Sequence, residues 1–289
     1  MRITPEIMSQ VLLQSVNQTQ SQLMQLEEQA STGQAFQIPS DNPTAVTQSI
    51  SFTHGLALVG QYQQGVTTAQ GWLNTADSTL SQGEQVWQQV MQVANEGANS
   101  TLNASGVSAL QAEVQGAEQN LANLANEQYQ GSYLFAGTNN QAPPWNAATS
   151  TWSGNAGSVT MQVGSSTTVA VNVNGSTLFP QLFSDLQALN TALGQGPSAV
   201  HALMPALQND LTALTTARTQ VGSTLALVNQ QASQLTSLQQ DLQKNLANVT
   251  GANMAAVTTQ LAQEETVYQA ALSSGAQILP LSLANFLAP

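Results

Sequence analysis

Leu207, Leu211, Leu214, Arg218, Val221, Leu225, Val228, Ala232, Leu235, Gln239, Leu242, Leu246 and Val249 follow one another at strictly alternating steps of four and three. Steps that average about 3.5 residues keep these side chains on one narrow face of an α-helix and form a heptad seam. At 1.5 Å per residue such a helix reaches about 60 Å. A seam sustained this long requires partner helices alongside. Gly194-Gln195-Gly196-Pro197 interrupts the chain before it, and Gly251 breaks it afterwards.

The same spacing appears on either side. A last helix carries Met254, Val257, Leu261, Tyr268 and Leu272, and the chain closes on Leu279-Pro280-Leu281-Ser282-Leu283-Ala284-Asn285-Phe286-Leu287. At the other end, Leu12, Val16, Thr19, Leu23, Leu26 and Ala30 form a heptad seam from about Pro5 to Ser31, stopped by Gly33. In Pro39-Ser40-Asp41-Asn42-Pro43, Asp41 or Asn42 can cap a helix whose first position suits Pro43. A long helical region follows to about Ala98, with Ile50, Ala57, Leu58, Tyr62, Val66, Ala69, Leu73, Ala76, Leu80 and Trp87 on its apolar side. Gly55, Gly60, Gly65, Gly71 and Gly83 imply either close helix contacts or one break. After a turn at Asn103 to Gly106, Leu110, Val114, Ala117, Leu121, Leu124 and Gln128 form another series, ending at Gly131.

Between Gly137 and Pro180 the period changes. Val159, Met161 and Val163, then Val169, Val171 and Val173, alternate with polar residues as strands do, and Gly164-Ser165-Ser166 supplies the hairpin turn. Helical character returns at about Gln181. The expected fold is mainly α: a long coiled-coil-like rod built from N- and C-terminal segments, with a small inserted β domain. Its parts are terminal core segments 1–40 and 250–289, a rod domain 41–136 and 181–249, and the insertion 137–180. Apolar helix faces at both chain ends need cover, so the two ends pair and then meet neighbouring subunits.

Composition excludes whole classes of function. Charged residues make up 6% of the chain, against roughly 25% in an ordinary soluble protein. Arg2, Arg218 and Lys244 are the three basic residues, and the formal net charge is −12. No basic face for nucleic acid or anionic lipid can be built from them. No apolar run approaches the roughly 20 residues of a membrane helix, so membrane insertion is not expected. The start, Met1-Arg2-Ile3-Thr4-Pro5-Glu6, lacks the pattern of a cleaved signal peptide. With no cysteine there is no disulfide, thiolate metal site or thiol nucleophile. Gln, Asn, Ser and Thr stand in for charge and keep their hydrogen bonding in acid. Work outside a cell at low pH and plain compositional drift both account for this.

Five segments in order carry a resemblance. They are Arg2-Ile3-Thr4-Pro5 with Leu23, Leu26 and Gln29-Ala30-Ser31-Thr32-Gly33; Pro39-Ser40-Asp41-Asn42-Pro43; Gly131-Ser132-Tyr133-Leu134-Phe135-Ala136-Gly137-Thr138 with Pro143-Pro144-Trp145; Arg218-Thr219-Gln220-Val221-Gly222; and Leu281-Ser282-Leu283-Ala284-Asn285-Phe286-Leu287. Together they resemble the bacterial flagellin superfamily and, within it, the hook–filament junction family. The sequence departs from that pattern at Gln34 and Ala35, where basic residues are usual, at Asn42, and in Asn253-Met254-Ala255-Ala256-Val257, which lacks acidic residues.

The resemblance implies a structural subunit of the flagellum, an adaptor between the preceding hook-associated layer and the flagellin filament. It implies unfolded passage through the flagellar type III export channel, a cytoplasmic chaperone on the C-terminal helix, a ring of identical subunits, and an extracellular location. The residues it assigns to assembly are Leu12, Leu23, Leu26, Ser31, Thr32, Gly33, Pro39, Ser40, Asp41, Pro43, Tyr133, Phe135, Gly137, Arg218, Val221, Gly222, Leu281, Leu283, Phe286 and Leu287. Flagellin itself is the alternative, and a secreted carbohydrate-binding module the further one.

No catalytic, cofactor or metal site is expected, and no enzyme. His54 and His201 have no helically spaced ligand partner. Glu27-Glu28 and Glu264-Glu265 diverge by about 100° on a helix and read as solvated faces. Arg218 takes a seam position either as a snorkelling register residue or as one half of a buried ion pair. Gly222 permits close helix approach or is neutral and exposed. Trp145 and Trp152 flank a turn, and either stack on sugar or fill the small core.

Overall fold

The computed structural model describes residues 5–99 and 103–286, with side chains except at positions 5, 6, 8 and 277–286. Helix α1 (Pro5–Thr32) is followed by α2 (Pro43–Gly97) and α3 (Ala104–Ala125). Six short strands come next: β1 (Gln128–Tyr129), β2 (Ser132–Tyr133), β3 (Trp145–Asn146), β4 (Thr151–Trp152), β5 (Thr160–Gln162) and β6 (Thr168–Ala170). Helices α4 (Gly175–Gln195), α5 (Pro197–Thr250) and α6 (Met254–Phe286) complete the chain. It forms two compact units, a terminal one of 1–57 with 239–289 and a central one of 58–238.

In the terminal unit α1 and α6 pack together. The last residues of α1 adjoin the first of α6 through an isolated bridge of Gln34 with Gly251. Ala35 N–H donates to the Thr250 carbonyl at 2.8 Å and Ala252 N–H to the Gly33 carbonyl at 2.8 Å. Far along both helices, Leu12 lies against Gly275, so the two run antiparallel. Leu12, Val16, Leu23, Leu26 and Ala30 are half-buried and Thr19 is buried, as the seam requires. Asn42 caps α2, its Oδ1 accepting from Ala45 N–H at 3.0 Å, and Pro43 takes the first helical position. Asp41 instead accepts from the backbone of Gln37 and Ile38, closing the preceding turn.

The α5 seam sorts by depth within the central unit. Val200, Leu207, Leu214, Val221, Val228 and Leu235, one per heptad, are buried, while Leu211, Arg218, Leu225 and Ala232 between them are half-buried. Facing them, α2 buries Val66, Ala69, Leu73, Ala76, Leu80 and Trp87, together with Trp72, Val90, Val93 and Ala94. The Trp87 indole N–H donates to the Leu207 carbonyl at 2.8 Å and so joins the two helices deep in the core. α2 runs unbroken, and its glycines mark close contacts. Gly65 touches the Gln162 carbonyl, Gly71 touches the Tyr129 hydroxyl, and a Cβ on Gly83 would meet Leu214 at 3.5 Å. Gly60 has nothing nearby.

Two boundaries differ from the sequence reading. α3 stops at Ala125 rather than near Gly131, and Gln128 pairs with Tyr133 instead of extending the helical series. The cause is the Gln130-Gly131 turn. Both residues have positive φ (49° and 80°), the backbone of a tight two-residue hairpin, which folds the chain back before the helix can continue. α4 begins at Gly175, earlier than Gln181, because the Asn174 side chain caps it by accepting from Ser176 N–H at 3.1 Å. The strands pair only as neighbours, β1 with β2, β3 with β4 and β5 with β6, all antiparallel. Such small hairpins bury little on their own. Their core comes from α4: Trp145 stacks on Phe183 at 3.6 Å, Trp152 stacks on Phe179 at 5.5 Å, and Phe135 meets Phe179 edge-on at 4.8 Å.

Candidate functional site

The assembly residues named from sequence fall into two groups. In the terminal unit, Leu12, Leu23 and Leu26 lie half-buried on α1, which packs on α6. Ser31 and Thr32 are exposed at the end of α1, and Gly33 has φ +70°, the left-handed backbone that ends a helix on glycine. Thr32 Oγ1 donates to the Glu28 carbonyl and accepts from Gln37 Nε2 at 2.9 Å, tying the helix end to the turn. Pro39, Ser40, Asp41 and Pro43 are exposed on that turn. A shallow groove beside it is lined by Glu28, Gln29, Phe36, Gln37, Ile38 and Asp41. Leu281, Leu283 and Phe286 lie within the α6 backbone, and Leu287 lies outside the described residues.

Large apolar side chains are left open to solvent in this unit. Ile7, Val11, Leu13 and Met24 on α1, Ile38 in the turn, Ile50 on α2, and Met254, Val267 and Leu272 on α6 are all exposed. Pairing the two ends therefore covers one stripe on each helix and leaves others bare, which is unusual for a protein that functions alone.

Arg218 anchors the second group. Its Nε donates to Asp77 at 3.0 Å and its Nη1 to Glu84 at 2.9 Å. These are the ion pairs found among the described residues. The side chains are 40% exposed for Arg218, 38% for Asp77 and 14% for Glu84, so the pair straddles the core's edge. The hydrogen bonds to Asp77 and then Glu84 hold the guanidinium above its ordinary value. The partners have a sequence signal of their own. Asp77 and Glu84 stand one heptad apart on α2, and so on one face, in a chain that otherwise avoids charge.

Val221 is buried one turn further on, while Gly222 is exposed with nothing near its missing Cβ. Phe135 is fully buried, Tyr133 is half-buried, and Gly137 has φ +70° with Asn155 pressed against it.

Trp145 and Trp152 present a ring face to Phe183 and Phe179 respectively, so those faces are already occupied. No three His, Asp or Glu side chains gather as a metal site among the described residues. No described helix is long and apolar enough to cross a membrane.

Residues 3–140 match the bacterial flagellin N-terminal helical region. Flagellar hook-associated protein 3 of Salmonella typhimurium is 32% identical over 186 residues, covering 64% of this chain and 59% of that protein. The protein of the same name from Escherichia coli is 29% identical over 189 residues, covering 65% and 60%. The match thus spans about three fifths of these relatives' length. In fold, the crystal structure of FlgL from Bacillus cereus is similar with a TM-score of 0.61 at 20% identity, over 68% of this chain and 99% of that one. Over residues 3–140 the chain is thus similar to the N-terminal helical region of bacterial flagellins, and its fold is similar to that of FlgL.

Proposed function

We propose that this chain is a structural subunit of the bacterial flagellum, the adaptor between the hook-associated layer before it and the flagellin filament after it. The observation that carries the reading is the terminal unit. Its two end helices pair antiparallel yet leave Val11, Leu13, Met24, Val267 and Leu272 exposed, which makes sense when further copies cover them. The similarity to two proteins called flagellar hook-associated protein 3 supports the junction position over that of filament subunit.

In this reading the segments 1–40 and 250–289 line the inner tube of the assembly, 41–136 with 181–249 form a helical rod domain, and the 137–180 region faces outward. The partners are further copies in a ring, the neighbouring hook-associated protein, flagellin, and an export chaperone that holds the C-terminal helix. The chain leaves the cell unfolded by type III export and acts outside it, without catalysis. The near-absence of charge and the lack of cysteine suit passage through a narrow channel.

The test is assembly in solution. Full-length chain is added to isolated hooks, with and without the preceding hook-associated protein, followed by flagellin. A short cap that forms only on the preceding layer, and that then seeds flagellin growth, is expected. Extended polymer from this chain alone would instead make it a filament subunit, and failure to bind any hook preparation would overturn the reading.

A further inference from the structure

The central unit contains a pair of carboxylates that the assembly reading does not use. Asp185 on α4 is 8% exposed and Asp210 on α5 is 4% exposed, each deeper than carboxylates ordinarily lie. The two carboxyls are near enough for Asp185 to act on Asp210 both as a hydrogen-bonding group and as a like charge. Gln181 Nε2 donates to Asp185 Oδ2 at 3.0 Å, one turn away on α4, while Asp210 Oδ2 is buried with no partner. Two carboxylates cannot bond to each other without a proton between them, since both are then acceptors only.

A buried negative charge needs a counter-charge, and among the described residues of the central unit no free basic side chain supplies one. The one Lys or Arg of the central unit, Arg218, is already bonded to Asp77 and Glu84. His201 is exposed on α5. The helices around the pair bring only more acid. Asp77 and Glu84 on α2 are held by Arg218, and on α3 Glu113 is exposed and Glu118 half-buried. Among the described residues no third His, Asp or Glu joins the pair as a metal ligand would.

We propose that Asp210 holds a proton and donates it to Asp185, and that this proton-sharing pair locks α4 to α5 in acid and loosens them as the medium turns alkaline. The electrostatics agree. Burial first, then the hydrogen bond and the charge of Asp185, push the Asp210 carboxyl up to about 8. An unfolded Asp titrates near about 3.9, so the folded unit keeps a proton that the unfolded chain has lost. The stabilisation is complete below about pH 4 and declines as pH rises towards about 8, the reverse of an ordinary salt-bridged carboxylate. Across that window the unfolding constant rises by up to about tenfold per pH unit.

All four tryptophans, at 72, 87, 145 and 152, lie in the central unit, so their fluorescence follows its unfolding alone. Thermal unfolding of the full chain is measured this way from about pH 5 to about pH 9, for wild type and Asp210→Asn. The wild-type midpoint is expected to fall as pH rises and to level off above about pH 8. In Asp210→Asn, whose amide N–H can replace the carboxyl O–H towards Asp185, most of that slope disappears and the variant is the more stable protein at about pH 9.

Equal slopes in the two proteins overturn the proposal. So does a wild-type midpoint at about pH 8 that calcium raises, since a cation then occupies the pair. Should the variant fail to fold, infrared difference spectra of the wild type decide. The stretch of a protonated carboxyl, present at about pH 6 and bleached by about pH 9 while the protein stays folded, is expected, and its absence at about pH 6 refutes the pair.

Discussion

Removing the Trp87 side chain is the most direct test of what holds the long helices of the central unit together. Trp87 is fully buried, packs in the α2 face opposite the α5 seam, and sends its indole N–H to the Leu207 carbonyl at 2.8 Å. Trp87→Ala loses the buried ring and leaves a cavity, a change that costs about 3–5 kcal/mol. For a unit of this size each kcal/mol lowers the midpoint by about 2–4 °C, so a drop of about 10 °C is expected. Trp87→Phe separates the contributions. It keeps most of the ring but loses the N–H and the fused five-membered part, for about 1–3 kcal/mol. Leu207 lies inside α5, so its carbonyl retains the helical bond and is not orphaned in either variant. The assay is thermal unfolding followed by fluorescence of Trp72, Trp145 and Trp152, which remain in the same unit. A drop of less than about 3 °C in Trp87→Ala would show that the indole is not a structural link between α2 and α5, and would undermine the depth order read along the seam.

Arg218→Met should lower stability far less than Trp87→Ala, because the pair with Asp77 and Glu84 is partly exposed and screened by solvent, and should affect copolymerisation on hook ends more than the melting curve. Comparable loss of stability to Trp87→Ala would place the arginine among the core residues instead. Gly137→Ala forces a side chain into left-handed backbone against Asn155 and should cost at least about 2 kcal/mol by denaturant titration. Gly222→Ala, in open space on a helix, should instead gain about 0.5–1 kcal/mol, so a loss there would reveal a contact absent from this structure. Raising salt from about 0.05 M to about 1 M should leave the central unit's midpoint nearly unchanged, since its ion pairs centre on one arginine; a large fall measured by the same fluorescence would contradict that.

The paired helices of the terminal unit were legible before any coordinates, because Leu12, Leu23, Leu26 and Val257 recur at the period of a helix face. The turn at Gly33 and the start at Asn42-Pro43 were equally legible, since each depends on residue types with a fixed local preference. Other features were not. The hairpin at Gln130-Gly131 interrupts a heptad series that extends formally through Gln128, and a pattern of apolar positions carries no information about where the backbone turns with positive φ. The aromatic core under the strands was hidden as well, because Phe179 and Phe183 belong to the helix after the insertion.

Sequence alone determined the helices, their seams, and the scarcity of charge, because these follow from local periodicity and composition. Tertiary structure alone decided which polar side chains meet. Asp77 and Glu84 find Arg218 from positions more than a hundred residues away, and Asp185 finds Asp210 across two helices. No local rule links such pairs. Their energies depend on burial and distance, and both exist only once the helices have packed.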